Sequence, residues 1–546
     1  MASRARTRAT ARFISSGVKG DGGGPVQVIC GISIGTCHFL ASHGVPSYDA
    51  LMNLPLDMPK ARLLTMVPQI VPSRTCLTCE VCCRFPESDS FLRPYLTAEE
   101  IARAVALGLD PSYFPNSAGG QIGLVPHPSG EGFICPAFDV ETSRCRIYDG
   151  RPLDCRLYPY AVMWDSATKD VVLGWDSKCP FMEGAPAHDI AGTAERMAAM
   201  LESDPVRRTL SEHPRLIGRF QDDVAIIRPL PRVSDALEEA ANALTVRPLT
   251  PQDRPRVEAA LAATRPDVPM PLAAFSFAGQ YVWHSSLEYS WIEIERHLCL
   301  FAGSPDGIFM ALPPLGPGPL LPPLAEAFRY MRIRNRGSQT TRIENVPADY
   351  LPELTARGFR HVRKEADYVY RASDLADLPG DRYKSQRAAC NRFEREYRSQ
   401  CEPYQASHRT ACLELLRTWR AQKEESDQHE WGRLLLADAV SAHEVALNDP
   451  QAAGLIGAVV TIDGVVRAYT FGMWLTSTVF CVAIEVADRT IPGLAQFIFR
   501  ECCRAVRSRG AEYINTMDDS GLPNLARSKG SYHPVTMLSN FIVVEG

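Results

Sequence analysis

The fold of the carboxyl-terminal part is decided by residues 455–472, which read LIGAVVTIDGVVRAYTFG. Its two apolar runs flank Asp463 and Gly464, and an Asp-Gly pair is a strong signal for a two-residue turn between antiparallel strands. The order of the elements predicts a mixed α/β (α+β) fold with one crossover unit. Downstream of the hairpin we expect a strand at 479–485, a helix at 493–507, a strand at 513–515, a helix at 522–527 and a strand at 538–544.

The composition is that of a globular protein with several domains. A chain of 546 residues is too long for one ordinary core, so we expect two to four domains. Hydrophobic residues make up 45% and charged residues 22%, which argues against a largely disordered chain. The 58 basic residues are balanced by 63 acidic ones, which excludes a generally basic nucleic-acid-coating protein. No uninterrupted apolar run reaches about 18 residues, so no transmembrane segment is expected.

The composition and the residue pattern change four times along the chain. The first 70 residues are basic until Asp21, and three glycines follow it, which predicts a disordered or over-extended amino terminus with a working start near Met52, Met58 or Met66. A basic, acid-poor targeting peptide is the alternative. Thr97 and Glu100 predict a capping box inside the next unit. The predicted units are 1–70, a cysteine-rich domain at 71–185, a helical bridge at 186–245, and two transferase-like subdomains at 246–375 and 376–546.

Clustered cysteines are the clearest chemical signal. The chain has 17, an odd number, and eight of them lie between positions 76 and 179, which does not fit a secreted disulfide framework. Gaps of two residues let consecutive thiolates turn onto one ion, as in zinc and iron–sulfur sites. We therefore expect a cytoplasmic, metal-binding protein, with buried free thiols as the alternative and with zinc and iron both open. The candidate ligands are Cys76, Cys79, Cys82, Cys83, Cys135, Cys145, Cys155 and Cys179.

These cysteines sit in short sequence blocks. The blocks are CLTCEVCC at 76–83, CPAF at 135–138, CRIY at 145–148, RP at 151–152, CR at 155–156, YP at 158–159 and CP at 179–180. This series resembles the YkgJ-type cysteine-cluster family, which implies a domain that chelates zinc or iron, in the latter case with an iron–sulfur cluster as one form. Arg151 and Arg156 would then balance the charge of the thiolates, or else form salt bridges on the surface.

A second series of blocks covers the carboxyl-terminal part. It comprises AFSF at 274–277, YVW at 281–283, LPPLG at 312–316, DYVY at 367–370, YIN at 513–515, DD at 518–519, GL at 521–522 and KGSYHP at 529–534. The series resembles the DUF2156 family, which is related to the carboxyl-terminal region of phosphatidylglycerol lysyltransferase. The resemblance implies tandem GNAT-like acyltransferase folds, a donor such as acyl-CoA or aminoacyl-tRNA, and a lipid or small-molecule acceptor. A non-catalytic, ligand-binding or redox-sensing protein is the alternative, because Val486 and Thr516-Met517 replace basic residues of the family pattern.

Four residues are the catalytic candidates. Acyl transfer needs a base for the attacking group and donors for the developing oxyanion. Glu485 ends one predicted strand and Asp518 and Asp519 follow another, so we expect the three carboxylates to meet at one edge of the sheet. Tyr532 is the expected proton donor. The alternative is that Asp518 and Asp519 only cap the next helix.

Three further residues are candidates for binding the donor. Gly493 opens a predicted helix whose amides would cradle phosphate, with Arg489 beside it. Lys529 would hold a phosphate or carboxylate, and the alternative is a solvated surface charge. The basic stretch from Arg382 to Arg398 predicts either a patch for tRNA or anionic lipid or, as the alternative, a charge-laced helix face.

Overall fold

The computed structural model describes residues 67, 69–264, 268–426 and 430–546. The amino-terminal segment predicted at 1–70 therefore lies outside the described residues, apart from its last few positions. In the described part of the chain, no helix is both long and apolar enough to cross a bilayer.

The cysteine-rich part is built from very short elements. Thr97 and Glu100 form the predicted capping box, in which each side chain accepts a hydrogen bond from the other residue's backbone amide. Its elements are α1 Ser73–Cys76, β1 Arg84–Phe85, β2 Tyr95–Thr97, α2 Ala98–Ala106, β3 Gly119–Gln121, β4 Val125–Pro126, β5 Phe133–Ile134, β6 Phe138–Asp139, β7 Arg144–Cys145, α3 Leu153–Leu157, β8 Tyr160–Trp164, β9 Val171–Asp176 and α4 Pro180–Gly184.

The bridge at 186–245 contains a strand as well as helices. Both predicted helices are present, but a strand between them pairs antiparallel with β9 and completes a three-stranded sheet with the cysteine-rich part. The helical bridge predicted at 186–245 therefore also contains a strand, which gave no strand signal because it shows no regular alternation of buried and exposed residues. The elements are α5 Ala187–Leu201, α6 Asp204–Glu212, β10 Val224–Pro229 and α7 Pro231–Asn242.

The remainder of the chain alternates strands and helices in two successive series. The first contains β11 Arg247–Pro248, α8 Arg254–Thr264, α9 Phe277–Tyr281, β12 Glu288–Ile294, β13 His297–Ser304, β14 Gly307–Met310, α10 Leu321–Asn335, β15 Ile343–Pro347, α11 Leu351–Ala356 and β16 Phe359–Arg371. The second contains α12 Ala372–Asp377, α13 Lys384–Glu396, β17 Ser399–Pro403, α14 Arg409–Ser426, α15 Glu430–Asn448, α16 Pro450–Ala453, β18 Ile456–Ile462, β19 Val465–Trp474, β20 Val479–Ala487, α17 Leu494–Arg507, β21 Tyr513–Asn515, α18 Pro523–Gly530 and β22 Thr536–Glu545.

Each series repeats one pattern. An edge strand and helices precede three antiparallel strands, and a helix then leads to a strand parallel to the third, followed by another helix and a last strand. The expected tandem α/β architecture is thereby confirmed. Within the described residues, twelve strands form one sheet in the order β11-β12-β13-β14-β15-β22-β16-β21-β20-β19-β18-β17.

The last strands of the two series are exchanged. Strand β16 ends the first series but pairs with β21 of the second, with Val369 opposite Asn515. Strand β22 ends the second series but pairs with β15 of the first, with Val346 opposite Phe541. The two halves therefore complete each other's part of the sheet.

The hairpin that opened the sequence analysis forms as predicted. Ile462 faces Val465 across the turn. Asp463 and Gly464 have φ angles of 50° and 78°, both in the left-handed region that the two central residues of a type I′ hairpin turn require.

The core joins the cysteine-rich part to the first series. One cluster of buried residues includes Trp164 from β8, Leu201 and Leu237 from the bridge, and Phe328 and Val543 from the sheet and its helices. Because these side chains pack in one cluster, the bridge is part of a shared core rather than a spacer.

Candidate functional site

All eight predicted cysteine ligands line one cavity, which we call the thiol cavity. Its volume is about 580 Å³, and Tyr148, Arg151, Asp154 and Tyr158 also contribute to its wall. Short elements and tight turns bring the thiols here from positions more than a hundred residues apart, and the described cysteines are all free. The blocks that are separate in the sequence are thus neighbours in space.

The chemistry of these thiols suits a soft cation. Burial raises the pKa of Cys76, Cys145, Cys155 and Cys179, and it raises the pKa of Cys135 to about 12. Without a cation, these thiols keep their protons, whereas a bound metal ion would lower their pKa values and displace the protons. The residues present therefore fit zinc or iron, both of which accept four thiolates.

The positions of the described thiols are not those of a coordination sphere. Among the residues that the structure describes, no three Cys, His, Asp or Glu side chains are arranged to hold one metal ion. The eight thiols share a cavity, so ligation requires their side chains to close together around the ion.

Arg151 is a basic residue in the wall of the thiol cavity. Its guanidinium lies 3.8 Å from the centre of the Tyr148 ring, and its positive charge acts on Cys76, Cys82 and Cys145. The charge-balancing role fits Arg151. Arg156, by contrast, donates hydrogen bonds to the backbone carbonyls of Asp149 and Arg151.

In the carboxyl-terminal half, Glu485 lies where two parallel strands part. The pairing of β20 with β21 ends at Cys481 and Asn515, while β20 continues to Ala487. An irregularity opposite Phe471 and Gly472 shifts the register of β20 just before Glu485. Such a bulge re-aims the side chains that follow it.

One oxygen of the Glu485 carboxyl group is buried without a described partner, although the residue as a whole is half-buried. Its Oε2 atom is covered and has no hydrogen-bond partner among the described residues. Burial raises the pKa of Glu485 to about 8. Its charge acts on Cys502 and Cys503 of α17 and on Tyr532, so these three side chains lie near it. A carboxyl group in this state is poised to exchange a proton near neutral pH.

The two aspartates sit in a different arrangement. The Asp518 carboxylate accepts a hydrogen bond from the Ser520 amide at 2.8 Å, and Asp519 accepts one from the Gly521 amide at 3.0 Å. The Tyr368 hydroxyl also donates to Asp519 at 2.6 Å. Both side chains thus shape the loop before α18, but neither caps that helix, since its N-cap is Leu522 and no side chain accepts a hydrogen bond there. No described hydrogen bond or ion pair joins either of them to Glu485.

Lys529 holds the same loop. Its Nζ donates to the carbonyl oxygens of Thr516 at 2.5 Å and Met517 at 3.3 Å, and also to that of Asp518. Burial lowers the pKa of Lys529, and Asp518 opposes this effect. Since its three donors already have acceptors, this geometry argues against the predicted role in holding a substrate anion.

The amino end of α17 is covered. Gly493 has a φ of 85°, and a Cβ atom there would collide with the carbonyl oxygen of Ala389 in α13. This packing argues against the phosphate cradle predicted at Gly493, because backbone of α13 occupies the adjacent space. Arg489, the other predicted donor-binding residue, is exposed.

Helix α13 contains most of the basic stretch predicted as a patch. Arg387 donates to the carbonyls of Leu378 and Gly380, and Arg392 pairs with Glu396. These contacts fit the charge-laced helix face, and the patch for tRNA or anionic lipid stays a prediction. The inner face of α13 lies close to Tyr532. The Gln386 side chain on that face donates to the carbonyl of Ser531, the residue before Tyr532, at 2.8 Å.

Sequence reasoning missed the residues that organise this half of the site. Ala389, Tyr368 and Gln386 act through backbone contacts or through single hydrogen bonds over long sequence separations. No local pattern signals such contacts. The only usable hint was the amphipathic spacing of α13, which indicates a buried face without identifying what covers it.

Comparison with known proteins assigns both parts of the chain. Residues 75–180 match the family model described as "Putative zinc- or iron-chelating domain", and residues 270–544 match the model described as "Phosphatidylglycerol lysyltransferase, C-terminal". No curated protein matches.

Three solved structures are similar to the carboxyl-terminal half. A conserved protein from Bacteroides thetaiotaomicron is 24% identical, with 56% of this chain and 100% of that chain covered and a TM-score of 0.49. L-PGS from Bacillus licheniformis is 14% identical, with 54% and 92% covered and a TM-score of 0.39. A tandem GNAT protein from the clavulanic acid biosynthesis pathway is 13% identical, with 55% and 98% covered and a TM-score of 0.34.

The second family model spans half of the 546 residues and includes the strand opening at Glu485, the loop held by Lys529 and both exchanged strands. The chain therefore belongs to the phosphatidylglycerol lysyltransferase C-terminal family, joined here to a cysteine-cluster domain of the zinc- or iron-chelating type.

Proposed function

We propose that this protein chelates zinc or iron, the latter as an ion or as an iron–sulfur cluster, through the thiol cavity. One observation carries the proposal: all eight clustered cysteines line a single cavity of about 580 Å³, with Arg151 beside them. Thiolates are the ligands that both metals accept in fourfold sites. A reducing compartment such as the cytoplasm would keep these thiols available.

Metal analysis of the full chain, purified without oxygen, tests the proposal. A zinc site is colourless, whereas an iron–sulfur cluster gives visible charge-transfer absorption that bleaches on reduction. Cys79→Ser should lose metal, and Cys401→Ser is the matched control, because Cys401 is an exposed thiol in β17, outside the cavity. Equal metal content in the two variants would contradict the proposal.

A second candidate function is transfer of an acyl or aminoacyl group in the carboxyl-terminal half. It is favoured by the covered, unpartnered Oε2 atom of Glu485 at the strand opening. In this reaction, an acceptor hydroxyl or amine attacks the donor carbonyl carbon, and the ionised form of Glu485, whose share rises as the pH approaches 8, takes the acceptor's proton. The bond to the donor's sulfur or oxygen then breaks, and the leaving group receives the proton. Tyr532 is the candidate hydrogen-bond donor beside it.

The candidate donor and acceptor of the transferred group are those that the family resemblance suggests. Acyl-CoA or aminoacyl-tRNA would supply the group, and a lipid or small molecule would receive it. The opposing candidate is a metal-binding or redox-sensing protein whose carboxyl-terminal half only binds a ligand. The closed packing of Ala389 against Gly493 favours that candidate.

A transfer assay separates these two candidates. The full chain is incubated with labelled acetyl-CoA or labelled aminoacyl-tRNA and with phosphatidylglycerol vesicles, and labelled product is measured. Glu485→Gln should abolish transfer, while Asp518→Asn should retain it, because an amide oxygen still accepts the hydrogen bond from the Ser520 amide. No transfer by the parent chain with either donor would leave the ligand-binding candidate ahead.

A further inference from the structure

A second, smaller cavity lies where the three parts of the chain meet. It has a volume of about 180 Å³, which is room for several water molecules at roughly 30 Å³ each. We call it the arginine cavity. Its charged and amide side chains are Asp89, Arg93, Asn116 and Gln121 from the cysteine-rich part, Arg215 from the bridge, and Arg357, Arg360 and Glu545 from the carboxyl-terminal half.

Positive charge exceeds negative charge in its wall. Four arginines face two carboxylates, and both carboxylates have partners of their own. Asp89 is bound by Arg360, and Glu545 accepts from Arg332 at 2.5 Å, outside the cavity wall. Within the described ranges, neither Arg93 nor Arg357 has a carboxylate within 4.0 Å. The charge of Asp89 nevertheless acts on Arg93, which leaves Arg357 as the wall arginine without a described acidic neighbour.

Two of the guanidinium groups, those of Arg93 and Arg215, are held in place by hydrogen bonds, whereas Arg357 is exposed. The Gln121 Oε1 atom accepts from Arg215 at 2.8 Å and from Arg93 at 3.4 Å, so one amide aligns two arginines. Arg215 also donates to the Gly546 carbonyl at 2.7 Å. Burial lowers the pKa of Arg215 to about 10, so that it stays charged at neutral pH in a partly desolvated position. Pre-aligned arginines of this kind match the oxygens of a tetrahedral anion.

We propose that the arginine cavity binds a phosphate group, supplied either by inorganic phosphate or by the head group of an anionic phospholipid. The bound group would accept hydrogen bonds from Arg93, Arg215 and Arg357. Since the walls come from all three parts of the chain, binding would tie the thiol-bearing part to the transferase-like half. This site is separate from Glu485 and does not depend on the proposed transfer reaction.

The test compares two exposed arginines of the full chain. Arg357→Gln removes a cavity charge, and Arg363→Gln removes a charge from β16 outside the cavity wall. Inorganic phosphate is titrated by calorimetry. In parallel, sedimentation is measured with phosphatidylcholine vesicles that contain or lack phosphatidylglycerol.

Binding that falls at least tenfold in Arg357→Gln but not in Arg363→Gln supports the site. If that pattern appears with inorganic phosphate, the source is a free phosphate, and if it appears only with anionic vesicles, the source is a lipid head group. Absence of binding to both probes, or equal binding by the two variants, would overturn the proposal.

Discussion

The carbonyl oxygen of Ala389 occupies the space that a side chain on Gly493 would need. Helix α13 can approach α17 this closely only because residue 493 has no Cβ atom, and its φ of 85° also favours glycine. Gly493→Ala should therefore lower the free energy of unfolding by about 2 kcal/mol or more, as measured by chemical denaturation.

Gly464→Ala is the matched control for that experiment. Gly464 has a φ of 78°, close to that of Gly493, but nothing lies within 4 Å of a Cβ atom there. It should cost only about 1 kcal/mol, the conformational part of the effect. If the two variants were equally destabilised, the contact between α13 and α17 would not be tight.

Removal of the metal should destabilise the cysteine-rich part. Metal-binding free energy contributes directly to folding when the ligands close around the ion. A chelator should lower the unfolding temperature of the parent protein and of Cys401→Ser by several degrees, measured by calorimetry. Cys79→Ser should start from the lower temperature and respond little to the chelator. A chelator response that survives in Cys79→Ser would argue against this ligand.

Glu485 should make the stability of the protein depend on pH. Its folded pKa of about 8 lies above its ordinary value of 4.5, so the folded protein retains a proton that the unfolded chain releases between these pH values. Stability therefore falls as the pH rises through this window. Glu485→Gln should match the parent below about pH 4.5 and exceed it above pH 8 by up to roughly 4 kcal/mol.

Denaturant titrations at several pH values measure this difference. Glu512→Gln serves as the control, because Glu512 is exposed and carries a carboxyl group of the same kind. The free energy of unfolding of this control should equal that of the parent at every pH. A Glu485→Gln variant that also follows the parent would mean that the carboxyl group has found a partner.

Lys364 should stabilise the first series through a half-buried ion pair. Its Nζ lies 2.8 Å from Glu344, which also binds Arg342 at 2.6 Å. Although burial raises the pKa of Glu344, Lys364 and Arg342 together lower it to about 2. Lys364→Met should cost about 1–3 kcal/mol at neutral pH, because it leaves the carboxylate with one cation.

This loss should shrink as the pH falls from about 4.5 towards 2, where Glu344 becomes protonated and needs no cation. Denaturation curves at pH 7 and pH 3 give the comparison. Arg363→Met changes the adjacent, exposed side chain and should have little effect at either pH. A loss independent of pH would assign the role of Lys364 to packing.

The elements with local signals could be predicted from the sequence. The turn at Asp463 and Gly464, the capping box of Thr97 and Glu100, and the amphipathic helix α17 each depend on residues close together in the chain. The cysteine blocks also predicted a shared site, since both the two-residue gaps between thiols and the resemblance of the blocks to a cysteine-cluster family can be recognised from the sequence alone. The assignment of individual ligands and of Glu485 to catalysis stays a prediction.

The remainder depends on contacts that leave no local trace. The partners of Lys529 are backbone carbonyls, which every residue offers, so no side-chain pattern indicated that its charge was already used. The contact of Ala389 with Gly493 joins two helices about a hundred positions apart and is equally invisible. The predicted boundary between residues 375 and 376 also stays a prediction, and it falls inside helix α12, Ala372–Asp377.

The exchange of β16 and β22 has a consequence for how the protein can be divided. If the chain were cut after the first series, the freed fragment would keep β16 but lose β22, the strand that separates β15 from β16. The second fragment would expose the unpaired edge of β21 in the same way. Neither fragment contains a complete sheet, so separately expressed halves should aggregate, whereas coexpressed halves should reassemble into one heterodimer.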